Sequence, residues 1–252
     1  MRVVITGASS GIGAALACYY AQRGATLGLI ARRPAALAQL AGTLGTPAAV
    51  YAADVRDAAA MQAAATGFLA QHGAPDIVFA NAGVSVGTLT EEPADIAAFE
   101  EVLDINVTGI VRTFQPFLGA MRAAGRGTLV GIASVAGYRG LPGAAAYSAS
   151  KAAAISYLES LRVELKDSGV RVVTICPGYI ATPMTAKNPY PMPFIMSAER
   201  AATKIAAIVE AGKTFAVIPW QMAIVARLLR VLPNCVFDRA FDGVPRKPRR
   251  DA

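Results

Sequence analysis

The sequence predicts an α/β protein with a single doubly wound sheet of seven parallel strands and helices on both faces. Short apolar runs alternate with helical patterns along the chain, as a parallel sheet with crossover helices requires. These runs are continuous rather than alternating, as in VVIT, TLGLIA, DIVFA, TLVGIA and VRVVTIC, which is typical of strands covered on both faces. A length of 252 residues without a linker or internal repeat fits one such domain.

The elements follow one another in a regular order. Each strand is an apolar run, and the seven are predicted at residues 3–6, 25–31, 48–53, 76–80, 128–133, 170–176 and 214–218. Each helix is a longer stretch of helical pattern, and six are predicted at residues 12–23, 34–44, 58–71, 95–123, 145–166 and 198–211. A Pro-rich loop at residues 177–196 follows the sixth strand. The sheet domain therefore spans residues 1–218, and residues 219–252 form a C-terminal helix and a basic tail.

The composition excludes several classes of protein. Apolar residues make up 54% of the chain and charged residues 16%, which excludes an intrinsically disordered chain. No uncharged apolar run reaches the roughly 18 residues of a membrane span. Three scattered cysteines and one histidine predict no disulfide framework and no metal site. Because the N-terminus lacks the pattern of a signal peptide, we expect the protein in the cytoplasm.

The net charge of +7 is unevenly distributed. Residues 1–199 hold 14 Lys and Arg against 13 Asp and Glu, whereas residues 200–252 hold 10 against 4. The body of the protein is nearly neutral, so we expect no nucleic-acid binding and assign the excess positive charge to the tail.

A glycine-rich turn, TGASSGIG at residues 6–13, follows the first strand and opens a helix. In a Rossmann-type fold such a turn binds a dinucleotide, because glycines allow a tight turn, a close approach to the pyrophosphate and close packing of the helix. The helix N-terminus then supplies N–H groups to the phosphates. The cofactor contacts expected here are Gly7, Ser9, Ser10, Gly11, Ile12 and Gly13.

The end of the second strand indicates which dinucleotide binds. An acidic residue there would bond the ribose hydroxyls of NAD, but this chain has Arg32 and Arg33. Arginine suits a 2′-phosphate in charge and in fork geometry, so we predict that NADP(H) is preferred over NAD(H). The alternative is a solvated arginine pair. Asp54 and Val55, after the third strand, are expected beside the adenine ring.

The chemistry is predicted at Tyr147 and Lys151, which are one helical turn apart. A neighbouring ammonium favours tyrosinate and lowers the pKa of the phenol, which can then exchange a proton with a carbonyl or alcohol oxygen. Ser134 stands at the carboxyl end of the fifth strand, where ligands bind in open α/β sheets. We expect the glycine turn, Asn81, Ser134 and Tyr147 to converge on one crevice.

These motifs, in this order, resemble those of the short-chain dehydrogenase/reductase family over roughly residues 1–218. The matching positions are residues 6–13, Asn81-Ala82-Gly83, Asn106 within DINV, Ser134, Tyr147 with Lys151, and Pro177-Gly178 with Thr182. The basic residues after the second strand resemble the NADP-preferring branch. The resemblance also implies homodimers or homotetramers.

The resemblance implies a role for each matched residue. Tyr147 is expected to be the catalytic acid/base, and Lys151 to lower its pKa and hold the nicotinamide ribose. Ser134 would orient the substrate oxygen, and Asn106 would hold a water that relays protons through Lys151. Further cofactor contacts are expected from Asn81, Ala82, Gly83, Pro177, Gly178, Ile180 and Thr182. The alternatives are a strand-end turn residue for Ser134 and a packing role for Asn106.

The substrate is predicted from the lid, residues 178–197. This segment is rich in Pro, Tyr and Met and carries one charge, Lys187. Such a lining suits a hydrophobic ketone or aldehyde, and an acyl chain, a sterol-like ring or an aryl ketone would each fit. The alternative is that the lid is apolar only to exclude water. Residues 84–89 and 138–141 are expected to add apolar wall.

The C-terminal region allows two interpretations. Residues 220–232 form an apolar helix with Arg227 and Arg230, and a basic run follows at residues 246–250. The helix either packs on a partner subunit or the pocket, with a frayed tail, or lies on an anionic membrane in a lipid-directed reductase. A catalytically silent dinucleotide sensor would typically lack Tyr147 or Lys151, and both are present. The function predicted is therefore reversible, NADPH-dependent reduction of a hydrophobic carbonyl.

Overall fold

The computed structural model describes residues 1–250 and confirms the predicted architecture. Seven parallel strands form one sheet in the order β3-β2-β1-β4-β5-β6-β9. The strands are β1 (Arg2–Thr6), β2 (Thr26–Ala31), β3 (Ala48–Ala52), β4 (Ile77–Ala80), β5 (Gly127–Ile132), β6 (Val170–Pro177), β7 (Ile180–Ala181), β8 (Met196–Ser197) and β9 (Phe215–Ile218). The short strands β7 and β8 form a separate parallel pair.

Helices cover both faces of the sheet. They are α1 (Gly11–Ala21), α2 (Pro34–Thr43), α3 (Ala58–His72), α4 (Asp95–Leu103), α5 (Gly109–Ala123), α6 (Ala145–Glu164), α7 (Ala198–Glu210), α8 (Trp220–Val231) and α9 (Asn234–Phe241). Helices α1, α2 and α7 share one hydrophobic core, and α3, α5 and α6 share the other. Along β1, Val3 and Ile5 pack into the first core and Val4 into the second. This alternation between two cores explains the continuous apolar strands.

The predicted single helix over residues 95–123 is wrong in one respect. A π-helical turn, Asp104–Thr108, separates α4 from α5. The turn buries Asn106 completely, and the side chain of Asn106 is hydrogen-bonded to the backbone of Val84 and to Ser150. Apolar spacing does not reveal such a turn, because it accompanies polar contacts with two distant segments.

The C-terminal region contains one helix more than the sequence suggested. Helix α8 lies where a helix was predicted, and α9 follows it after a short break. Arg139 connects both helices to the body, since its guanidinium donates to Leu229 O at 2.8 Å and to Asn234 Oδ1 at 2.7 Å and lies over the Phe237 ring. Within residues 1–250, no helix combines the length and the apolar character that crossing a bilayer requires.

The expectation of a frayed basic tail is wrong. Residues 246–250, called the C-terminal strap below, lie against the body, where the Gly87 N–H donates to Pro248 O at 2.9 Å. Arg249 pairs with Asp95 and Glu92 of the acidic segment that leads into α4, and Arg250 pairs with Glu101. These partners lie about 150 residues earlier in the chain, so a local reading of the basic run could not identify them.

Candidate active site

A crevice of about 530 Å³ opens at the carboxyl ends of the strands, where the strand order reverses between β1 and β4. The topology of an open α/β sheet places ligands at this point. The crevice is lined by every predicted site residue except Gly13 and Asn106. Gly13 lies behind the glycine turn against Gly7 O, and Asn106 lies under the loop after β4. The glycine turn, Asn81, Ser134 and Tyr147 thus line one crevice, as the sequence predicted.

The glycine turn leaves no room for side chains. Gly7 and Gly11 have positive φ angles of 65° and 56°, which favour glycine. A Cβ at Gly13 would lie 2.3 Å from Gly7 O and 2.6 Å from Asn81 Nδ2. The turn therefore exposes backbone at the N-terminus of α1, and these residues fit the pyrophosphate of a dinucleotide.

Thr6 and Asn81 hold the two sides of this turn together. The Thr6 hydroxyl donates to Phe79 O at 3.2 Å and accepts from the Asn81 N–H at 3.1 Å. The Asn81 amide donates to Thr6 O at 3.0 Å. Thr6 was not among the predicted site residues, although it begins the TGASSGIG motif, and its buried hydroxyl joins the ends of β1 and β4.

The arginines after β2 lie at the far end of the crevice. Arg33 Nη2 donates to Ser9 Oγ at 3.1 Å, and Arg32 lies 3.9 Å from Asp54. Burial opposes ionisation of Asp54, but hydrogen bonds and charge from Arg56, together with Arg32, hold the pKa of that carboxyl below its usual range. Arg32 is therefore balanced by Asp54, whereas Arg33 has no carboxylate partner among residues 1–250. Arg33 is the cation available beside the glycine turn.

The predicted chemical groups meet in the middle of the crevice. Ser134 caps a 3-10 turn, Val135–Gly137, by accepting from the Ala136 N–H at 3.2 Å. Tyr147 and Lys151 project from the first turns of α6, with Lys151 Nζ 5.8 Å from the centroid of the Tyr147 ring. Lys151 is buried and donates to Ile132 O at 2.8 Å.

The predicted lowering of the Tyr147 pKa by Lys151 is wrong for the polypeptide alone. Burial raises the pKa of the Tyr147 phenol, and a hydrogen bond with Ser134 only partly opposes it. The Lys151 ammonium is directed to the Ile132 carbonyl instead, and burial lowers the pKa of Lys151 to about 8. The phenol is therefore protonated near neutral pH and is available as a proton donor.

Asn106 connects the loop after β4 with α6. Its amide donates to Val84 O at 2.9 Å and to Ser150 Oγ at 3.0 Å, and its oxygen accepts from the Val84 N–H at 2.9 Å. Ser150 in turn donates to the backbone oxygen of Tyr147 at 2.7 Å. Asn106 thus supports the turn of α6 that carries Tyr147, and a water relay through it stays a prediction. Ser150 is a supporting residue that the motif spacing did not reveal.

The first part of the lid lines the crevice. Its ends pair as β7 and β8, and the rings of Tyr179 and Tyr190 lie 6.4 Å apart. Burial, with contributions from Tyr179 and Tyr147, raises the pKa of Tyr190 to about 12. Tyr190 therefore remains a neutral hydroxyl near Tyr147.

The burial of Lys151 gives a test based on stability. The pKa of Lys151 is about 8 in the folded protein and 10.5 in the unfolded chain. Between these two pH values the unfolded chain therefore binds more protons than the folded one. The free energy of unfolding of the wild type, relative to Lys151→Met, should therefore rise as pH rises through this window. Denaturant unfolding at several pH values measures the difference. A difference independent of pH would show that Lys151 is not charged and buried as described.

Comparisons with known proteins agree with this geometry. A family model described as short chain dehydrogenase matches residues 1–191. An uncharacterised oxidoreductase of Myxococcus xanthus is 40% identical over 243 residues, which are 94% of each chain. The cis-4-hydroxycyclohexanecarboxylate dehydrogenase of Sinomonas cyclohexanicum is 33% identical over 84% of this chain and 86% of its own. The solved structure of L-sorbose reductase from Gluconobacter frateurii with NADPH and L-sorbose has a TM-score of 0.77 at 27% identity, covering 86% of this chain and 93% of that one.

Proposed function

Because the chain belongs to the short-chain dehydrogenase family, we propose that it reduces hydrophobic ketones and aldehydes with NADPH and oxidises the corresponding alcohols in reverse. The protein is an oxidoreductase of alcohol and carbonyl groups that uses a nicotinamide dinucleotide. The observation that carries the proposal is the convergence of the glycine turn, Ser134, Tyr147 and Lys151 on one crevice.

Each side chain at the reacting carbonyl group has a separate role. A nicotinamide dinucleotide held at the glycine turn would supply the hydride for the carbonyl carbon. The Tyr147 hydroxyl donates its proton to the carbonyl oxygen, which becomes the alcohol, and the Ser134 hydroxyl orients that oxygen. The raised pKa of Tyr147 keeps the phenol protonated before the reaction, which suits reduction. Lys151, buried beside it, would hold the nicotinamide ribose.

A carbonyl panel with NADPH absorbance as the readout tests the substrate class. The Pro-, Tyr- and Met-rich lid supports aliphatic and aryl ketones or aldehydes as substrates. We expect these to be reduced with a higher kcat/KM than polar sugars of similar size. Activity confined to sugars would remove the hydrophobic assignment and leave the lid as a barrier to water only.

The preference for NADPH depends on Arg33, and also on Arg32. Arg33 is bonded to Ser9 and lacks a carboxylate partner within residues 1–250, so its guanidinium is free to bind a 2′-phosphate. Replacing both residues, Arg32→Ala with Arg33→Ala, should raise the KM for NADPH at least tenfold and leave the KM for NADH within about twofold, because hydrogen bonds to charged groups contribute about 1.5–3 kcal/mol. Steady-state kinetics with both cofactors measures this. A wild type that prefers NADH would exclude the assignment.

A second candidate, a reductase held at a membrane surface, is favoured by one observation. Trp220, Ile224, Leu228 and Val231 form an apolar stripe on α8, and their exposed fractions are 50–76%. Arg227 is also exposed, as on helices that lie on anionic bilayers. Full-length protein is then expected to sediment with anionic liposomes, and the double variant Ile224→Asp, Leu228→Asp to remain in solution. If the variant changes the oligomeric state and neither protein binds liposomes, the stripe is a subunit contact.

A further inference from the structure

The C-terminal strap lies against two segments of the body and brings Lys247 close to Tyr147. A Cβ at Gly87 would lie 2.2 Å from Lys247 O, and one at Gly143 would lie 2.7 Å from Arg246 Cβ. Gly87 belongs to the loop after β4, and Gly143 lies two residues before α6, so the strap contacts both that loop and the segment that leads to Tyr147. The glycines at both positions allow this close approach of the strap.

Two arginines anchor the strap. Arg249 lies 2.8 Å from Asp95 and 3.1 Å from Glu92, and Arg250 pairs with Glu101. Asp95 is buried and also accepts from the Leu89 N–H at 2.8 Å, so a single carboxylate fixes both the strap and the loop beneath it. The paired guanidinium of Arg249 is mostly covered. These pairs balance the charges of Arg249 and Arg250, whereas Arg246 is exposed and Lys247 is partly buried without a carboxylate partner among residues 1–250.

Lys247 places a positive charge beside the reacting tyrosine. Its Nζ lies 5.6 Å from the centroid of the Tyr147 ring, on a side chain that is partly buried. Among residues 1–250, no carboxylate lies within salt-bridge distance of it. Burial lowers the pKa of Lys247 to about 8, so the side chain is still mainly charged at pH 7. A half-buried ammonium without a counter-charge is unfavourable unless a ligand supplies one.

We propose that Lys247 binds a carboxylate of the substrate, so that the preferred substrates are apolar ketones or alcohols with one carboxylate close to the reacting carbon. The reaction itself rests on the function proposed above, whereas the anion site rests on the strap alone. A single ammonium matches a singly charged group, and a charge-assisted hydrogen bond in a partly desolvated site is stronger than one in water. The short distance to Tyr147 allows one small molecule to reach both groups. The apolar lid would then enclose the remainder of that molecule.

Binding and turnover test this proposal separately. Cyclohexanecarboxylate, which has no carbonyl to reduce, is titrated into the NADP⁺-saturated enzyme by calorimetry, with its methyl ester as the neutral counterpart. Isomers of oxocyclohexanecarboxylate and their methyl esters are compared as substrates. We expect the wild type to bind the acid at least tenfold more tightly than the ester and to show a preference of similar size in kcat/KM.

Three variants identify the residue responsible. Lys247→Met removes the charge at nearly constant length and should bring the ratio of acid to ester close to one, with ester turnover within about threefold of the wild type. Lys247→Arg should retain the preference. Arg246→Met removes a charge from an exposed position of the same strap, keeps the aliphatic contact with Gly143, and should leave the preference unchanged.

The outcomes separate the anion site from the reaction. Equal binding of acid and ester by the wild type, or a preference that survives in Lys247→Met, overturns the proposal even if neutral ketones are reduced. Lys247-dependent binding of the acid without reduction of any carbonyl supports the anion site and removes the proposed function instead. If Arg246→Met loses the preference for the acid over the ester as fully as Lys247→Met does, the acid is attracted by the overall positive charge of the strap. That result also overturns the specific role of Lys247.

Discussion

Tyr147→Phe is expected to lower kcat by about 10²–10⁴-fold, the usual contribution of a positioned general acid or base. The substitution removes the only atom of the side chain that can give a proton to the substrate oxygen. It leaves the ring against Lys151 and Lys247, and it leaves the glycine turn intact. The affinity for NADPH should therefore stay within about twofold of the wild type. Stopped-flow turnover and NADPH fluorescence titration measure the two quantities.

The controls for Tyr147→Phe are tyrosine-to-phenylalanine substitutions at two other positions, Tyr157 and Tyr190. Tyr157→Phe changes a half-buried tyrosine of the same helix that does not line the crevice, and it should leave kcat unchanged. Tyr190→Phe tests the other hydroxyl near Tyr147 and is expected to affect KM more than kcat. Turnover near the wild-type level in Tyr147→Phe, with a large loss in Tyr190→Phe, would assign the proton donor to the lid.

Gly13→Ala is expected to raise the Kd for NADPH more than tenfold and to destabilise the fold. The new Cβ would lie 2.3 Å from Gly7 O, which is backbone and cannot rotate away. Either α1 moves away from the turn or the turn opens, and both displace the N–H groups that would face the pyrophosphate. Overpacking of this kind costs about 1–3 kcal/mol of stability. Fluorescence titration and denaturant unfolding measure the two effects.

Gly119→Ala is the matched control for this prediction. Gly119 lies inside α5 without a positive φ, and a Cβ added there would meet no neighbouring element within 4 Å. The same added methyl group should there raise the free energy of unfolding by about 0.5–1 kcal/mol, because alanine favours helix over glycine. Wild-type affinity for NADPH in Gly13→Ala would contradict the assignment of residues 6–13 as the cofactor turn.

The fold could be predicted because its signals are local. Val3, Val4 and Ile5 are all apolar because the two faces of β1 meet separate cores, and this constraint is visible in consecutive residues. Tyr147 and Lys151 share a face because they are one helical turn apart. The end of each strand marks where a site residue must lie, so the positions of Ser134 and Asn81 along the chain were enough to place them in the crevice.

Other features depend on contacts between distant segments, and for these the sequence was insufficient or misleading. The π-helical turn at Asn106 is tied to Val84 and Ser150, and no spacing within residues 95–123 records those partners. The pKa of Tyr147 was predicted from its distance along the helix to Lys151. The direction of the shift is set instead by burial, which the hydrogen bond with Ser134 only partly opposes.

Residue order alone was sufficient for the sheet, the glycine turn and the succession of chemical groups, because periodicity and spacing within one element dictate which face each side chain takes. Folding was needed to place the basic tail beside Tyr147. That outcome depends on Arg249 meeting Asp95 across 154 positions of the chain and on glycines at 87 and 143 that admit the strap. Charge and shape complementarity between remote segments is a property of the folded molecule, and it is what brings Lys247 to Tyr147.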